Sequence, residues 1–507
     1  MQSSPPTQTP THVPTTTVVT NLTTLFPTQT HPPGSAAYIA TTTTYYDASS
    51  ISAPALVFHP HTSHDVAAAL KLLTASNTKF AVKGGGHMPG AFSSAGEGGV
   101  LMAMERMEVV EWEDQMDGVV LRVGPGNRWG RVYAKAAERG RVVVGGRRPE
   151  VGVVGLVIGG GVAFVAGEYG WACDNVAGFE VVLADSTIVY ATATNDHKDL
   201  YRALRGGSAN FGIVTRIDLI THPLPNGGWG ALNFHDFSSA PELRGAYIAA
   251  FIEYILHGAS ADPKSGAVTV LLCSPMAGMN AGYSNLWRSS PEPTSSLSSS
   301  STTTPAVFKA LNTIPGSSKH GNITLSEFIE SLGAPSPPSP IPMQNAFRTS
   351  TFLADAALIK EFVRVHDEEY AAIVNVVGLT TALTFQPITP RHVRAAENGI
   401  GRNVLGLEDA AEKGTLVVTE QSVSWMHAED RERVQAVQKR IQERMEVWAV
   451  ERRLHVGWRY LNDADMDQND AVWEGIGEDN GRFLRAVRER YDKEGVLRRL
   501  WVGGFKL

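Results

Sequence analysis

The sequence predicts an α+β fold of two domains, and three observations lead to this class. The chain has 507 residues, which allows two or three domains at about 150 residues each. Hydrophobic residues make up 43% of the chain and charged residues 19%, as in a globular protein with sizeable cores. Short apolar runs alternate with stretches of helical periodicity, and glycine-dense turns join them. We therefore expect sheets with helices packed on them.

The N-terminal segment, residues 1–49, is predicted to be a flexible arm outside the fold. Residues 1–35 contain eleven threonines and seven prolines and few side chains that could pack. Such a composition cannot bury enough apolar surface to offset the entropy of ordering the chain. We expect the folded part of the protein to begin near residue 50.

Residues 50–225 are predicted to form the first folded domain. A helix is expected over 65–77, where apolar residues recur at helical spacing after Asp65. The segments 179–185 and 186–192 are predicted to form a hairpin. The remaining predicted elements, in chain order, are strands at 54–60, 80–83, 99–104 and 118–126, helices at 128–140 and 197–206, and a strand at 211–220.

Residues 226–454 are predicted to form a second domain. Strands are expected at 267–274, 381–388 and 415–425, with long helical stretches between them. Residues 289–305 are rich in Ser, Thr and Pro and are predicted to be a disordered surface insertion. Residues 427–453 combine both charge signs with an apolar stripe, which indicates a solvated amphipathic helix.

Composition also excludes several classes of function. The chain has 44 Lys and Arg against 51 Asp and Glu, a net charge of −7, so we expect no nucleic-acid partner. Two cysteines, Cys173 and Cys273, cannot build a disulfide scaffold or a thiolate metal cluster, and no metal site is predicted. The uncharged run at 151–167 is shorter than the about 20 residues a bilayer requires, so no membrane partner is expected. No signal peptide is evident, which favours a cytoplasmic location.

Four segments are candidates for chemistry. Three glycines precede His87 in GGGHMPG (84–90), and VGVVGLVIGGG (151–161) forms a second amide-rich turn without bulky side chains. A third glycine turn, RGGSANFGIVT (205–215), leads into a strand, and YLNDADMDQ (460–468) is polar. Each segment alone is equally compatible with an ordinary loop or tight backbone packing. The dinucleotide-binding spacing G-x-G-x-x-G is absent, as are the P-loop, G-x-S-x-G and H-E-x-x-H motifs.

The order and spacing of these segments resemble the FAD-linked oxidases of the berberine bridge enzyme-like type, in the vanillyl-alcohol oxidase superfamily. The shared motifs occur in family order: GGH, P-x-VGVxGxxxGGG, YGxxxDNVxxFEVVLAD, LxxALRGGxxNFGIVT, YxNxADxxQ and FLRAVRERYD. They frame nearly the whole chain outside the arm and the insertion, and the middle of the chain matches only loosely. The resemblance implies a PCMH-type FAD-binding domain of residues 50–225, completed by the C-terminal segment 455–507. It also implies a substrate domain with an antiparallel sheet flanked by helices.

The resemblance implies FAD as cofactor, bonded covalently through the imidazole of His87 to the 8α-methyl carbon of the flavin. Such a bond withdraws electron density from the ring and makes it a stronger oxidant. The glycine turns would hold the pyrophosphate and the edge of the ring. The full set of cofactor-binding residues implied in this way is Lys83, Gly84, Gly85, Gly86, His87, Val151, Gly152, Gly155, Val157, Gly159, Gly160, Gly161, Asn210, Gly212, Ile213 and Asn462.

Three positions depart from the family pattern. Bicovalent members carry a cysteine where this chain has Arg148, so a single flavin link is expected. The position thought to control oxygen access over the flavin is Val157, and its small side chain favours an oxidase that uses molecular oxygen. The usual N-Y-A-D motif here contains Asp463 in place of tyrosine.

The function implied is an oxidase that takes a hydride from an alcohol or amine carbon of a small molecule, in secondary metabolism, and forms hydrogen peroxide. Tyr460 is the first candidate for the base that takes the proton, and a core tyrosine is an equal alternative. Gln386 and Asn403 are polar candidates of lower rank. The alternatives are oxidative or redox-neutral cyclisation, a flavin-binding protein without oxidase activity, and nicotinamide-dependent reduction.

Overall fold

The computed structural model describes residues 15–90, 92, 94–114, 119–289, 303–333, 342–394 and 401–507. Its first layer is a four-stranded sheet of order β1-β2-β4-β3, in which β2 and β3 run parallel to β4. The elements are α1 (Thr15–Leu25), β1 (Thr30–His31), α2 (Ala36–Thr43), β2 (Leu56–Phe58), α3 (Ser63–Ala75), β3 (Phe80–Lys83) and β4 (Val100–Ala103). Helix α3 begins two residues before Asp65: Thr62 caps it, and Asp65 completes a reciprocal capping box.

The prediction of a flexible arm over residues 1–49 is wrong for residues 16–49. Val18 and Leu22 on α1 are 1% and 0% exposed and pack against α3 and the first sheet. Four residues separate these two side chains, so they lie on one face of the helix and bury a stripe that the Thr-rich composition obscures. Residues 1–14 lie outside the described part of the chain.

The second layer is an antiparallel sheet of order β5-β6-β10-β8-β9, with β7 paired to the far end of β10. The expected hairpin is present as β8 and β9, which pair from Phe179 opposite Ala191 to Val182 opposite Ile188. The elements are β5 (Val110–Glu113), β6 (Val120–Val123), α4 (Trp129–Ala137), β7 (Arg141–Val143), α5 (Val153–Ile158), α6 (Ala166–Tyr169), β8 (Val176–Val182), β9 (Ile188–Ala191), α7 (Lys198–Leu204) and β10 (Ile213–Pro223).

The third layer is a seven-stranded sheet of order β14-β11-β13-β12-β16-β17-β15, and all its pairs are antiparallel. The antiparallel sheet expected for the substrate domain is thereby confirmed. Its strands are β11 (Gly228–Asp236), β12 (Ser265–Ser274), β13 (Met279–Ser289), β14 (Ser317–Ile323), β15 (Gln344–Leu353), β16 (Thr380–Ile388) and β17 (Leu416–Trp425). Residues 290–302 of the predicted insertion lie outside the described residues.

Helices cover one face of this sheet. Phe251, Phe362 and Ile441, from three different helices, belong to one buried apolar cluster with the strands. The helices of this cluster are α8 (Leu243–Glu253), α9 (Ala259–Ala261), α10 (Lys309–Asn312), α12 (Ala356–Ala371) and α15 (Arg431–Glu451). Helices α11 (Leu325–Ser331), α13 (Pro390–Arg394) and α14 (Glu408–Glu412) contribute instead to the apolar cluster of the second layer. On β17, Gln421 faces α15, where it exchanges hydrogen bonds with Gln438. Because strand side chains alternate, Glu420 points to the opposite face.

After α15 the chain returns to the first two layers. Its last helices are α16 (Asn469–Gly475), α17 (Glu478–Tyr491) and α18 (Val496–Leu500). Arg202 on α7 donates to Asn480 on α17, and the Val502 amide donates to the Phe80 carbonyl beside β3. The C-terminal segment thus packs on elements that lie 278 and 422 residues earlier in the sequence.

Candidate active site

A cavity of about 360 Å³ lies where the glycine loops meet the uncovered face of the seven-stranded sheet. The loop after β3 and the segment around α5 form one wall, and Phe347 on β15 and Glu420 on β17 stand on another. A volume of this size is within the range of cofactor and small-molecule sites. Eleven residues predicted from the sequence line it: Gly84, Gly85, Gly86, His87, Val151, Gly152, Gly155, Gly212, Ile213, Tyr460 and Asn462.

The floor of the cavity is built from glycine backbone. A Cβ atom on Gly85 would lie 2.5 Å from the Gly152 nitrogen, and one on Gly152 would lie 2.5 Å from the Gly85 nitrogen. The two loops therefore touch through backbone, which only glycine permits at this distance. A Cβ atom on Gly155 would meet no atom within 4 Å. This position leaves open space for a ligand.

His87 stands at the end of this floor. Its imidazole stacks on the ring of Tyr46, with centroids 4.4 Å apart and planes 17° apart. Burial lowers the pKa of His87 to about 4, and the cations Arg148 and Arg128 lower it while Glu150 raises it. The imidazole is therefore neutral at pH 7, and a neutral imidazole has the free electron pair that a nucleophile requires.

Tyr460 lies in the cavity wall with its hydroxyl held in place. The Val162 amide donates to this oxygen at 3.0 Å and Asn462 Nδ2 donates to it at 3.1 Å. Burial, with the nearby Asp463 carboxylate, raises the pKa of the Tyr460 phenol well above its usual range. The ring stacks on Trp458, with the centroids 5.9 Å apart.

Two carboxyl groups that sequence reasoning did not select face the same cavity. Glu420 comes from β17, and Asp463 follows the turn that begins at Tyr460. Burial raises the pKa of both carboxyl groups; each pKa is lowered by Arg147, and that of Glu420 is raised further by Asp463. Gln386 Nε2 donates to Asp463 Oδ2 at 2.9 Å, and Arg147 donates to the Gln386 oxygen. Such a pair can exchange a proton with a bound molecule near neutral pH.

The sequence contained a sign of each carboxyl group. Glu420 is the single charged residue in the predicted strand 415–425. Asp463 replaces the tyrosine of the family motif. Only the fold shows that the two acids share one cavity.

Six predicted cofactor residues do not line the cavity, and three of them are not glycines. Lys83 Nζ donates to the Thr41 carbonyl at 2.7 Å. Val157 on α5 is fully buried in the central apolar cluster, because α5 turns this position away from the cavity. The side chain of Asn210 binds the C-terminal tail, where its Nδ2 donates to the Phe505 carbonyl at 3.0 Å. The expectation that Val157 stands over the cofactor is therefore not met by this geometry.

The three glycines at 159–161 serve packing rather than the cavity wall. A Cβ atom on Gly159 would lie 2.1 Å from the Asn462 side chain, and one on Gly161 would lie 2.6 Å from the Ala172 side chain. Gly160 has a φ of 109°, a conformation that residues with a Cβ rarely adopt. Asn403, a lower-ranked candidate, donates to the buried Asp174 at 2.9 Å.

Comparison with known proteins agrees with this geometry. The model of the FAD binding domain family matches residues 54–192. The FAD-dependent monooxygenase tpcD of Cochliobolus heterostrophus is 34% identical over 470 residues, which is 90% of this chain and 85% of that protein. The chain belongs to the FAD-linked oxidoreductases of the berberine bridge enzyme-like type. The FAD-dependent monooxygenase prx3 of Penicillium roqueforti is 31% identical over 96% of this chain and 93% of its own length.

The fold of this FAD-linked oxidoreductase also has solved counterparts. A structure of glucooligosaccharide oxidase from Acremonium strictum covers 94% of this chain and 97% of its own, with a TM-score of 0.71 and 18% identity. The recognised family, the α+β class and the assignment as an enzyme are thereby confirmed. The glycine floor, the open space at Gly155 and the neutral imidazole at its edge fit FAD.

Two further findings concern only the described residues. None of their helices has the length and apolar content needed to cross a bilayer. No group of three or more His, Cys, Asp or Glu side chains among them is arranged to hold a metal ion. Cys173 and Cys273 are both unpaired thiols.

Proposed function

We propose that this oxidoreductase removes a hydride from an alcohol or amine carbon of a small molecule, with FAD bound covalently through His87. The observation that carries the proposal is the neutral, half-buried imidazole of His87 at the edge of a glycine-lined cavity that also holds two carboxyl groups. The A. strictum oxidase supports it, because its structure is described as containing an 8α-N1-histidyl FAD.

In this proposal the residues that line the cavity have three roles: binding the cofactor, anchoring it and accepting a proton. FAD, when bound, supplies the two-electron acceptor, and molecular oxygen restores its oxidised form as hydrogen peroxide is released. The glycine floor at Gly85, Gly152 and Gly155 holds the cofactor, and His87 anchors it. Glu420, in its deprotonated form, takes the proton of the substrate, and the nearby Asp463 carboxylate favours the protonated Glu420 that results. Tyr460, with an oxygen already accepting two hydrogen bonds, is the second candidate for the base.

The experiment that tests the covalent link is acid precipitation of the purified protein, compared with the variant His87→Ala. We expect the yellow colour to stay with the wild-type pellet and to leave the variant. Release of flavin from the precipitated wild-type protein would contradict the covalent link but not the assignment of FAD as the cofactor. If FAD added to well-folded protein produced no flavin spectrum, the cofactor assignment itself would be wrong.

A second candidate function is monooxygenation, which the names of the relatives tpcD and prx3 favour. An oxidase and a monooxygenase differ in the fate of the oxygen atoms. An oxidase releases both as hydrogen peroxide, whereas a monooxygenase places one in the product and requires an external reductant. Turnover under ¹⁸O₂ separates them: label in the product would favour monooxygenation, and peroxide equal to product would favour the oxidase.

Oxidative cyclisation would also consume oxygen and release peroxide, so the product must be identified. A redox-neutral cyclisation would form product without oxygen uptake. Bleaching of the flavin by NADH or NADPH without substrate would support nicotinamide-dependent reduction. A dithionite-reduced sample that failed to reoxidise rapidly in air would favour a flavin-binding protein without oxidase activity.

A further inference from the structure

Residues 44–50, here called the N-terminal strap, cross between the loop of His87 and the seven-stranded sheet. The Tyr46 amide donates to the Gly86 carbonyl at 3.0 Å, directly beside His87. On the other side, Asn345 Nδ2 donates to the Tyr46 carbonyl at 2.7 Å. Both backbone polar groups of Tyr46 are thus fixed, one to each domain, and its ring has little freedom to shift.

Asp47 anchors the strap from the next position. Its side chain is fully buried, and it accepts from the Gly90 amide at 2.7 Å and the Asn345 amide at 2.9 Å. Arg431 of α15 forms an ion pair with it at 3.1 Å. The anchor therefore holds the loop of His87, the strap and the substrate domain in one arrangement.

The ring of Tyr46 lies between His87, the proposed site of flavin attachment, and β17, the strand that carries Glu420. One face stacks on the imidazole of His87 at 4.4 Å, and the ring is tilted against Phe347 with centroids 5.6 Å apart. Its hydroxyl is hydrogen-bonded to Ser422, two residues after Glu420 on the same face of β17. A stacked ring closes one face of the imidazole, so a ligand in the cavity meets His87 from the side away from Tyr46.

We propose that Tyr46 is a positioning residue that orients His87 for covalent attachment of the flavin; this inference rests on the proposed function. In that attachment an imidazole nitrogen bonds to the 8α-methyl carbon. The imidazole N–H and one methyl C–H each lose a hydrogen, and the two protons and two electrons reduce O₂ to hydrogen peroxide. Tyr46 takes no part in bond making. It holds the attacking imidazole in its plane and shields one face of it from water, because the two rings are stacked.

The test follows attachment itself rather than turnover. Wild-type protein and the variants Tyr46→Leu and Tyr46→Phe, each from flavin-limited cells, are mixed with FAD in air. Acid precipitation at intervals then gives the rate at which flavin becomes covalently bound. We expect Tyr46→Leu to attach flavin about tenfold more slowly, the effect of losing one aromatic stack, and Tyr46→Phe to stay within about twofold of wild type.

Asn345→Ala provides an independent route to the same result. It keeps the aromatic ring but removes the hydrogen bond that fixes the Tyr46 carbonyl, so the ring can shift from His87, and we expect slower attachment with unchanged noncovalent FAD affinity. Attachment at the wild-type rate in both Tyr46→Leu and Asn345→Ala would overturn the role of Tyr46 and leave the covalent link intact. A wild-type protein that attaches no flavin would instead overturn the covalent link of the proposed function, and the role of Tyr46 with it.

Discussion

Glu420 and Asp463 reach one cavity from two different parts of the chain, and their surroundings determine what they can do. Burial raises the pKa of Glu420 to about 8 and that of Asp463 to about 6, against usual values near 4. The cation of Arg147 limits both shifts. A carboxyl group can act as a base only once it is deprotonated, so the pair should become active as pH rises through this window.

The first prediction is a pH dependence. We expect kcat/KM of the wild type to rise between about pH 6 and pH 8, because the carboxyl pair loses its protons there. Glu420→Gln should lower kcat by about 100-fold or more, as removal of a general base does. Initial rates measured from pH 5 to pH 9 give both values.

The comparison variant for that prediction is Tyr460→Phe, which removes the other candidate base. We expect Tyr460→Phe to keep the rise of kcat/KM with pH, because the pKa of the Tyr460 phenol lies above the pH range measured. A large loss of kcat in Tyr460→Phe with little change in Glu420→Gln would assign the base to Tyr460 instead.

The loops that form the cavity floor depend on contact between backbones rather than on side chains. Gly85 and Gly152 approach so closely that a Cβ on either would require the opposite loop to move. Gly155, on α5, has no such neighbour. The same residue type therefore has a packing role at one position and leaves space at another.

The second prediction uses this difference. Gly152→Ala should lower the free energy of unfolding of the flavin-free protein by about 1–3 kcal/mol, because two backbones must separate. Gly155→Ala should leave the free energy of unfolding unchanged or slightly higher. The added methyl group should instead reduce the retention of FAD, because it occupies space in the cavity. Thermal unfolding and flavin content of both variants test this, and equal destabilisation would contradict the proposed difference.

Helix α1 is an element that composition concealed, and its stability rests on very few side chains. The third prediction is that Leu22→Ala lowers the free energy of unfolding by about 2–5 kcal/mol, as other buried leucine truncations do. The neighbouring exposed position provides the control, since Thr23→Ala should change it by less than about 0.5 kcal/mol. Denaturant unfolding measures both, and a neutral Leu22→Ala would indicate that α1 does not dock.

At the scale of the whole molecule, two buried charges join segments that lie far apart in sequence. Asp47 joins the N-terminal strap to Arg431 of α15, on the seven-stranded sheet. Arg348 of β15 donates both to Gln442 of α15 and, at 2.6 Å, to Asp467 of the C-terminal segment. A buried charge that loses its partner is costly, so these contacts set the relative placement of the cavity walls.

The fourth prediction concerns the Asp47 ion pair. Arg431→Gln should destabilise the protein by about 3–5 kcal/mol, because a fully buried carboxylate loses its cation. Arg482→Gln, which breaks an exposed pair on α17, should cost less than about 1 kcal/mol. Thermal unfolding at low and high salt distinguishes them, and similar small effects of both substitutions would show that Asp47 is stabilised by its amide donors alone.

The pattern of residues close together in sequence was sufficient to predict much of the fold, but it did not predict all of the residues that form the site. The hairpin of β8 and β9 and the helix α3 follow from residues close in sequence, which is why periodicity and capping predict them. Helix α1 was missed because two buried side chains among threonines give a weak pattern. Val157 lies in the apolar core rather than in the cavity wall, because a family motif specifies a position in sequence but not the direction of a side chain on α5.

The family, the FAD cofactor and the glycine turns could be predicted without a structure, and His87 could be named as a candidate, because short motifs in family order along this chain carry them. The tertiary structure alone decided that Glu420 meets Asp463 and that Tyr46 covers His87. The members of these pairs are separated by 43 and 41 residues. Strand order and side-chain alternation direct Glu420 into the cavity, and packing of the N-terminal strap on the loop of His87 places Tyr46, so both depend on the packed molecule rather than on any local segment.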